Sequence, residues 1–183
     1  MRETGAEDYH LKTSVIKGKT AVIGEFVSAD VILPARHSFL NSEDMATHVL
    51  KELEPTINER IRSSPILLAG KAFGYGTGRE SPARALRAAG VRVILGGPFA
   101  RMFFRNAINN GILVLDCPKL IADGVPDGSV IAVDIDKNEV RWGEQVYLVP
   151  PVPQIVRRII DAGNLIEYGR MVIGAGQGEH YHV

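Results

Sequence analysis

Cysteine is almost missing from this chain: Cys117 is the single one in 183 residues. One thiol forms no internal disulfide and cannot complete a zinc ribbon, and it leaves an iron–sulfur cluster without the several thiolates it needs. Long hydrophobic runs are missing as well. The apolar runs are of strand length, and Met1–His10 has no apolar core. The sequence therefore predicts neither a signal peptide nor a membrane span, and a cytoplasmic location. Net charge is absent, with 21 Lys and Arg against 21 Asp and Glu. No internal repeat or low-complexity linker interrupts the chain.

What remains is the composition of an ordinary globular protein, 45% hydrophobic and 23% charged, which excludes disorder, collagen-like repeats and coiled coil. The length fits one domain, able to bury roughly 70% of the surface its unfolded chain exposes. The expected boundaries are a polar N-terminal tail over 1–12, one domain over 13–173 and a C-terminal tail over 174–183.

Along that domain, Thr13–Ile23 reads as two short β segments around Lys17-Gly18-Lys19, followed by a loop closing at Pro34. Asn41-Ser42 starts a helix that Pro55 interrupts, and a second short helix covers Ile57–Ile61. The pattern then becomes strand, glycine-rich turn, helix, strand, helix, strand. Pro65–Ala69 is a continuous apolar run, as buried strands are. Ser81-Pro82 offers an N-cap and a first-turn proline, and Gly90 ends that helix. Val91–Leu95 is a strand, Phe99–Ile108 a helix closed by Asn109-Asn110-Gly111, and Ile112–Leu115 a strand. Ser129–Asp134 and Glu139–Trp142 flank a hairpin turn at Asp136-Lys-Asn138. Val152–Ala162 is a last amphipathic helix. The product is a mixed sheet with helices on one side.

The most informative stretch is Gly70-Lys-Ala-Phe-Gly74-Tyr-Gly76-Thr77-Gly78-Arg79-Glu80-Ser81, between a buried strand and a helix start. Alternating glycines let the backbone turn sharply and point several N–H groups at one place beside a helix N-terminus, an arrangement that holds negative charge. Arg79 adds a fork for a carboxylate or phosphate. A dinucleotide loop would need a third glycine where Arg79 stands and an acid after the next strand, where Gly96-Gly97 stand. A Walker loop would need a Lys-Ser or Lys-Thr pair. A tight connection with a solvated Arg79–Glu80 pair is the plain alternative for such a turn taken alone.

Four ordered segments carry a resemblance. The loop is similar to Gly-x-Gly-Ser-Ser-Arg-Glu of the swivelling domain of the aconitase superfamily, above all in the small-subunit family of the 3-isopropylmalate dehydratases. Val27-Ser-Ala-Asp30-Val-Ile-Leu-Pro34-Ala-Arg36 resembles that family's Asp-Thr-Asp-x-Ile-x-Pro segment. Phe99-Ala-Arg-Met-Phe-Phe-Arg-Asn106, closed by Gly111-Ile-Leu, resembles its Phe-Ala-x-Ile-Phe-x-x-Asn helix, and Ile159–Tyr168 fits its C-terminal part. The likeness runs from about Val15 to Arg170.

This resemblance implies an α/β fold, a swivelling β/β/α three-layer domain with a mixed sheet. It implies dehydration and rehydration of a hydroxy acid, 2-isopropylmalate to 3-isopropylmalate in leucine biosynthesis, on a [4Fe-4S] cluster held by a separate large subunit. The small chain, colourless and inactive alone, then supplies the base and the carboxylate-binding loop in a heterodimer or heterotetramer. Carried over by position, Thr77 stands on the catalytic serine, Gly78 on the second serine and Arg79 on the substrate-binding arginine. Gly76, Asp30 and Arg36 are the further substrate-binding candidates. A threonine can serve as an alkoxide base where N–H groups and Arg79 stabilise the anion, although its methyl narrows the site. Ser28 and Ala29 replace the family's first two residues before Asp30. Phe39 and Leu40, after Arg36, offer an apolar wall that suits an isopropyl group better than an extra carboxylate. A homoaconitase or other substituted-malate enzyme is the nearest alternative, and a nucleotide-binding domain or a regulatory subunit without catalysis are the others.

Neutrality conceals an asymmetry. Arg79, 84, 87, 92, 101 and 105 face only Glu80 between positions 79 and 105, a local balance of +5 that leaves −5 for the rest. This favours an anionic substrate or partner, while the paired Phe103-Phe104 read as core rather than as a nucleic-acid stacking platform. The five histidines form no metal constellation; His180 and His182 lie in the tail.

Overall fold

A computed structural model describes residues 14–176. The tails, with His180 and His182, lie outside the described residues. In chain order the elements are β1 (Val15–Ile23), α1 (Ala29–Ile32), a 3-10 turn (Ala35–His37), α2 (Ser42–His48), α3 (Ile57–Arg62), β2 (Ile66–Ala69), α4 (Ser81–Ala88), β3 (Val93–Gly96), α5 (Arg101–Asn109), β4 (Leu113–Asp116) and α6 (Pro118–Ala122). They continue with β5 (Val130–Asp134), β6 (Glu139–Trp142), β7 (Gln145–Leu148), α7 (Gln154–Ala162) and α8 (Leu165–Gly176). The seven strands form one mixed sheet in the order β4-β3-β2-β1-β5-β6-β7.

β1 joins two halves. Its residues 15–19 pair antiparallel with β5, and its residues 20–23 pair parallel with β2. The sheet folds over at this strand. Ile66, Leu68, Val93, Leu95, Leu113 and Leu115 of the parallel half share one core with Ile131, Val133, Val140 and Tyr147 of the antiparallel half. The opposite face of the parallel half, through Leu67, Ile94 and Val114, packs with the helices, including Met45, Ile61, Leu86 and Phe103. The result is three layers, β/β/α. The middle layer is covered on both faces, which explains why β2 and β3 are buried at every residue, whereas β5 alternates buried with more exposed positions.

The continuous β1 corrects the expectation of two segments parted at Lys17-Gly18-Lys19. Gly18 is in the strand because Pro65 packs onto it: a Cβ there would lie 2.3 Å from Pro65 Cγ. The missing side chain makes room for a neighbouring ring instead of a turn. Five elements were unread in the sequence: α1, the 3-10 turn, α6, α8 and the edge strand β7, whose exposed–exposed–buried–exposed pattern is too weak to announce it. Ser81 is the first residue of α4 rather than its cap, which falls on Glu80 without a side-chain capping bond. Beyond α7, α8 carries the chain on to Gly176. None of the described helices is long and apolar enough to cross a membrane.

Candidate active site

β1, β2 and β3 are adjacent and run parallel, so the segments that follow their carboxyl ends come out side by side, where open parallel sheets place ligand sites. These are the Gly24–Pro34 segment, the glycine loop and the Gly97–Ala100 turn into α5. Backbone hydrogen bonds lace them together. Phe26 N–H donates to Lys71 O at 2.9 Å, Gly74 N–H to Val27 O at 2.8 Å and Ala29 N–H to Tyr75 O at 2.7 Å. On the other side Ala72 N–H donates to Pro98 O at 2.7 Å and Ala100 N–H to Phe73 O at 3.2 Å. The glycine loop is the middle filling.

Gly74 is required here twice over. Its φ is +80°, and a Cβ would lie 2.2 Å from Phe103 Cγ, whose ring meets Phe73 edge-on at 5.1 Å. This buried anchor fixes the base of the loop. Beyond it the chain turns outward, and among the described residues the N–H groups of residues 76–80 take no backbone acceptor. Gly76, at φ +100°, faces open space. The loop thus divides into a pinned half and a half that offers donors.

Arg79 is the hub. Its Nε donates to Thr77 Oγ1 at 3.0 Å, one terminal nitrogen donates to Ser38 Oγ at 3.0 Å, and the other binds the Asp30 carboxylate. A guanidinium has five N–H donors, so these three contacts leave two for a ligand. Ser38 also accepts from Ser81 Oγ at 2.9 Å. From α5, Asn106 Nδ2 donates to the carbonyls of Gly78 and Arg79, both at 3.1 Å. One turn on, Asn110 Nδ2 donates to Glu80 Oε1 at 2.9 Å. The plain alternative of an Arg79–Glu80 ion pair does not form: the partner of Arg79 is Asp30, and that of Glu80 is Asn110.

The sequence candidates divide accordingly. Asp30, Gly76, Thr77, Gly78 and Arg79 converge. Arg36 does not join them; it forms an exposed ion pair with Glu52. Phe39 is 97% exposed and available as a wall, whereas Leu40 packs against the helix-side core. Ser38, Ser81, Asn106 and Asn110 belong to the site and were not singled out as site residues by the sequence. Asn106 of α5 and Asn110, the C-cap residue four positions on, were the available signal. Beside Ser38, the His37 and His48 rings stack at 3.8 Å. Desolvation, then His48 and Arg36, push the His37 pKa below its ordinary value.

This chain's own residues do not fit an iron–sulfur cluster. Cys117 is 3% exposed and far from forming a thiolate, because burial pushes its pKa up. Among the described residues no three His, Cys, Asp or Glu side chains stand together as metal ligands.

A folded-over β/β/α sheet with an arginine-bearing glycine loop at its parallel carboxyl ends defines a domain of the aconitase C-terminal type. The model of that family, the aconitase C-terminal domain, matches residues 42–120. A 3-isopropylmalate dehydratase small subunit from Halothermothrix orenii is 35% identical over 155 residues, 83% of this chain and 93% of that protein. The one from Methanosarcina mazei is 35% identical over 161 residues, 86% and 98% of the two chains. The crystal structure of a 3-isopropylmalate dehydratase from Methanocaldococcus jannaschii superposes with a TM-score of 0.78 at 26% identity, covering 90% of this chain and 99% of that one. The chain belongs to the 3-isopropylmalate dehydratase small-subunit family, and so to the hydro-lyases.

Proposed function

We propose that this chain pairs with a large subunit to interconvert 2-isopropylmalate and 3-isopropylmalate, and that Thr77 and Arg79 are its contribution to the chemistry. The reaction removes a proton from one substrate carbon and hydroxide from its neighbour, forming a double bond and releasing water. Addition of water in the opposite sense then gives the isomer. The [4Fe-4S] cluster would be held by the large subunit.

Thr77 Oγ1 would take up the proton as base and return it as acid. A free threonine hydroxyl is far too weak an acid to ionise at neutral pH, so its oxyanion needs donors and positive charge held in place beforehand. Arg79 Nε at 3.0 Å supplies both. The two uncommitted N–H groups of Arg79 and the outward N–H groups of the loop would grip a substrate carboxylate. Asp30 and Ser38 orient the fork. The observation that carries this reading is the simultaneous contact of Arg79 with Thr77, Ser38 and Asp30, residues from two distant segments. Fully exposed Phe39 supports an alkyl-bearing substrate: isopropylmaleate should be hydrated faster than cis-homoaconitate.

Activity of the enzyme reconstituted with its large subunit tests the role of Thr77. General acid–base catalysis contributes about 10²–10⁴-fold, so Thr77→Ala should lose on the order of 10³-fold in kcat, while Thr77→Ser stays within about tenfold of the parent. Full activity in Thr77→Ala removes Thr77 as the base.

A further inference from the structure

A cavity of about 770 Å³ opens between α4, the end of α5 and the corner joining α7 to α8. Its wall shares Glu80 and Asn110 with the surroundings of the glycine loop, but none of Asp30, Ser38, Thr77 or Arg79 lines it. Arg84 and Arg87, three residues apart on α4, stand on one side of it. Neither has a carboxylate partner among the described residues. The polar contact of Arg84 is the Met45 sulfur at 3.5 Å. Burial, and then the nearby Arg92, push the Arg87 pKa down, the response of a half-buried cation whose charge is not compensated.

The acids on the wall are already engaged. Glu80 accepts from Asn110 at 2.9 Å and Glu167 from Arg170 at 2.6 Å. Asn109 and Asn164 add amide groups to the wall, while Leu165 and Ile166 line it with apolar surface, 41% and 66% exposed. Two guanidinium forks, neutral donors and an uncovered apolar flank in a space of small-molecule size match an organic anion better than a bare inorganic one.

We propose that this cavity is a second anion site, separate from the Thr77–Arg79 loop, that binds a small dicarboxylate through Arg84 and Arg87. Its carboxylates would lie against the two forks and its carbon chain against Leu165 and Ile166. The site does not depend on the catalytic reading, because none of the groups assigned to the reaction lines it.

Calorimetric titration of the full chain with malonate and with isopropylmalonate, at constant ionic strength, tests it. Saturable binding is expected, several-fold tighter for isopropylmalonate. Arg87→Gln and Arg84→Gln should each weaken it at least tenfold, with thermal unfolding confirming that both variants fold, and Arg79→Gln should change it less than twofold. Absence of saturable binding overturns the proposal. So does binding that is lost in Arg79→Gln but kept in Arg87→Gln, which would place the dicarboxylate on the catalytic loop. Binding to the free chain that disappears when the large subunit is added also overturns it, since the cavity would then seat an acidic segment of the partner.

Discussion

Replacing Ser38 by alanine tests whether Arg79 is held for its task or merely lies near it. Ser38 Oγ accepts one bond from the Arg79 guanidinium at 3.0 Å and one from Ser81 Oγ at 2.9 Å. A hydrogen bond to a charged group contributes about 1.5–3 kcal/mol in a dry setting. The Arg79 side chain is 27% exposed, so water replaces part of what is lost, and about 1–2 kcal/mol of orientation remains. At 1.36 kcal/mol per tenfold, kcat/KM should fall by about five- to thirtyfold. The loss should appear in both KM and kcat, because Arg79 is assigned to the substrate carboxylate and to the Thr77 oxyanion. Steady-state kinetics of the reconstituted enzyme with 2-isopropylmalate measure it, following the unsaturated intermediate by absorbance. Ser38→Thr keeps the hydroxyl and should recover most of the activity. A Ser38→Ala enzyme within twofold of the parent in kcat/KM would refute the positioning argument, as would an equal loss in Ser38→Thr.

The remaining predictions concern the loop and its flank. Gly74→Ala meets Phe103 at 2.2 Å in a left-handed conformation, and should destabilise the chain by about 2–4 kcal/mol, visible as a lower thermal midpoint; an unchanged midpoint contradicts the close contact. At Gly78 a Cβ would lie 3.6 Å from Met102, an ordinary contact, and φ is not positive. Gly78→Ser should therefore alter stability by no more than about 0.5 kcal/mol and keep activity, and a tenfold fall in kcat/KM would show that the loop does not tolerate the second hydroxyl. His37 ionises less readily folded than unfolded, through desolvation, His48 and Arg36. The unfolded chain thus binds that proton first, so the stability from neutral His37 is complete above its ordinary value of 6.5 and is lost as pH falls through the lower folded-state value. Thermal midpoints measured from about pH 8 down to about pH 5 should fall less steeply in His48→Gln than in the parent; identical slopes would remove the stacked pair as the cause.

Much of the fold was legible along the chain. The continuous apolar run at Pro65–Ala69 announced β2 as a buried strand, because a strand buried on both faces has no polar side to show. Gly90 and Gly111 marked helix ends, and Asp136-Lys-Asn138 marked the hairpin, where Asn138 adopts φ 55°. The errors came where a local signal had a distant cause. Gly18 reads as a break because its partner, Pro65, is 47 positions away in sequence and touching in space. Ser81 reads as a cap, but its hydroxyl is taken by Ser38.

The glycine loop, Thr77 and Arg79 were likewise visible, since both the turn chemistry and the family pattern are written in consecutive residues. The order of strands and helices, the shortage of cluster thiolates and the likeness to the dehydratase small subunits, which in turn implied three layers, could all be read along the chain. Only the tertiary structure decided which charges meet. It turned Arg79 to Asp30 and Ser38, sent Arg36 to Glu52, seated Asn106 beneath the loop carbonyls and left Arg84 and Arg87 facing a cavity. The reason is physical: turn and strand preferences act over a few neighbouring residues, whereas a hydrogen bond needs two groups within about 3 Å. For Arg79, Asp30 and Asn106, which follow different strands, that proximity arises when β1, β2 and β3 lie side by side.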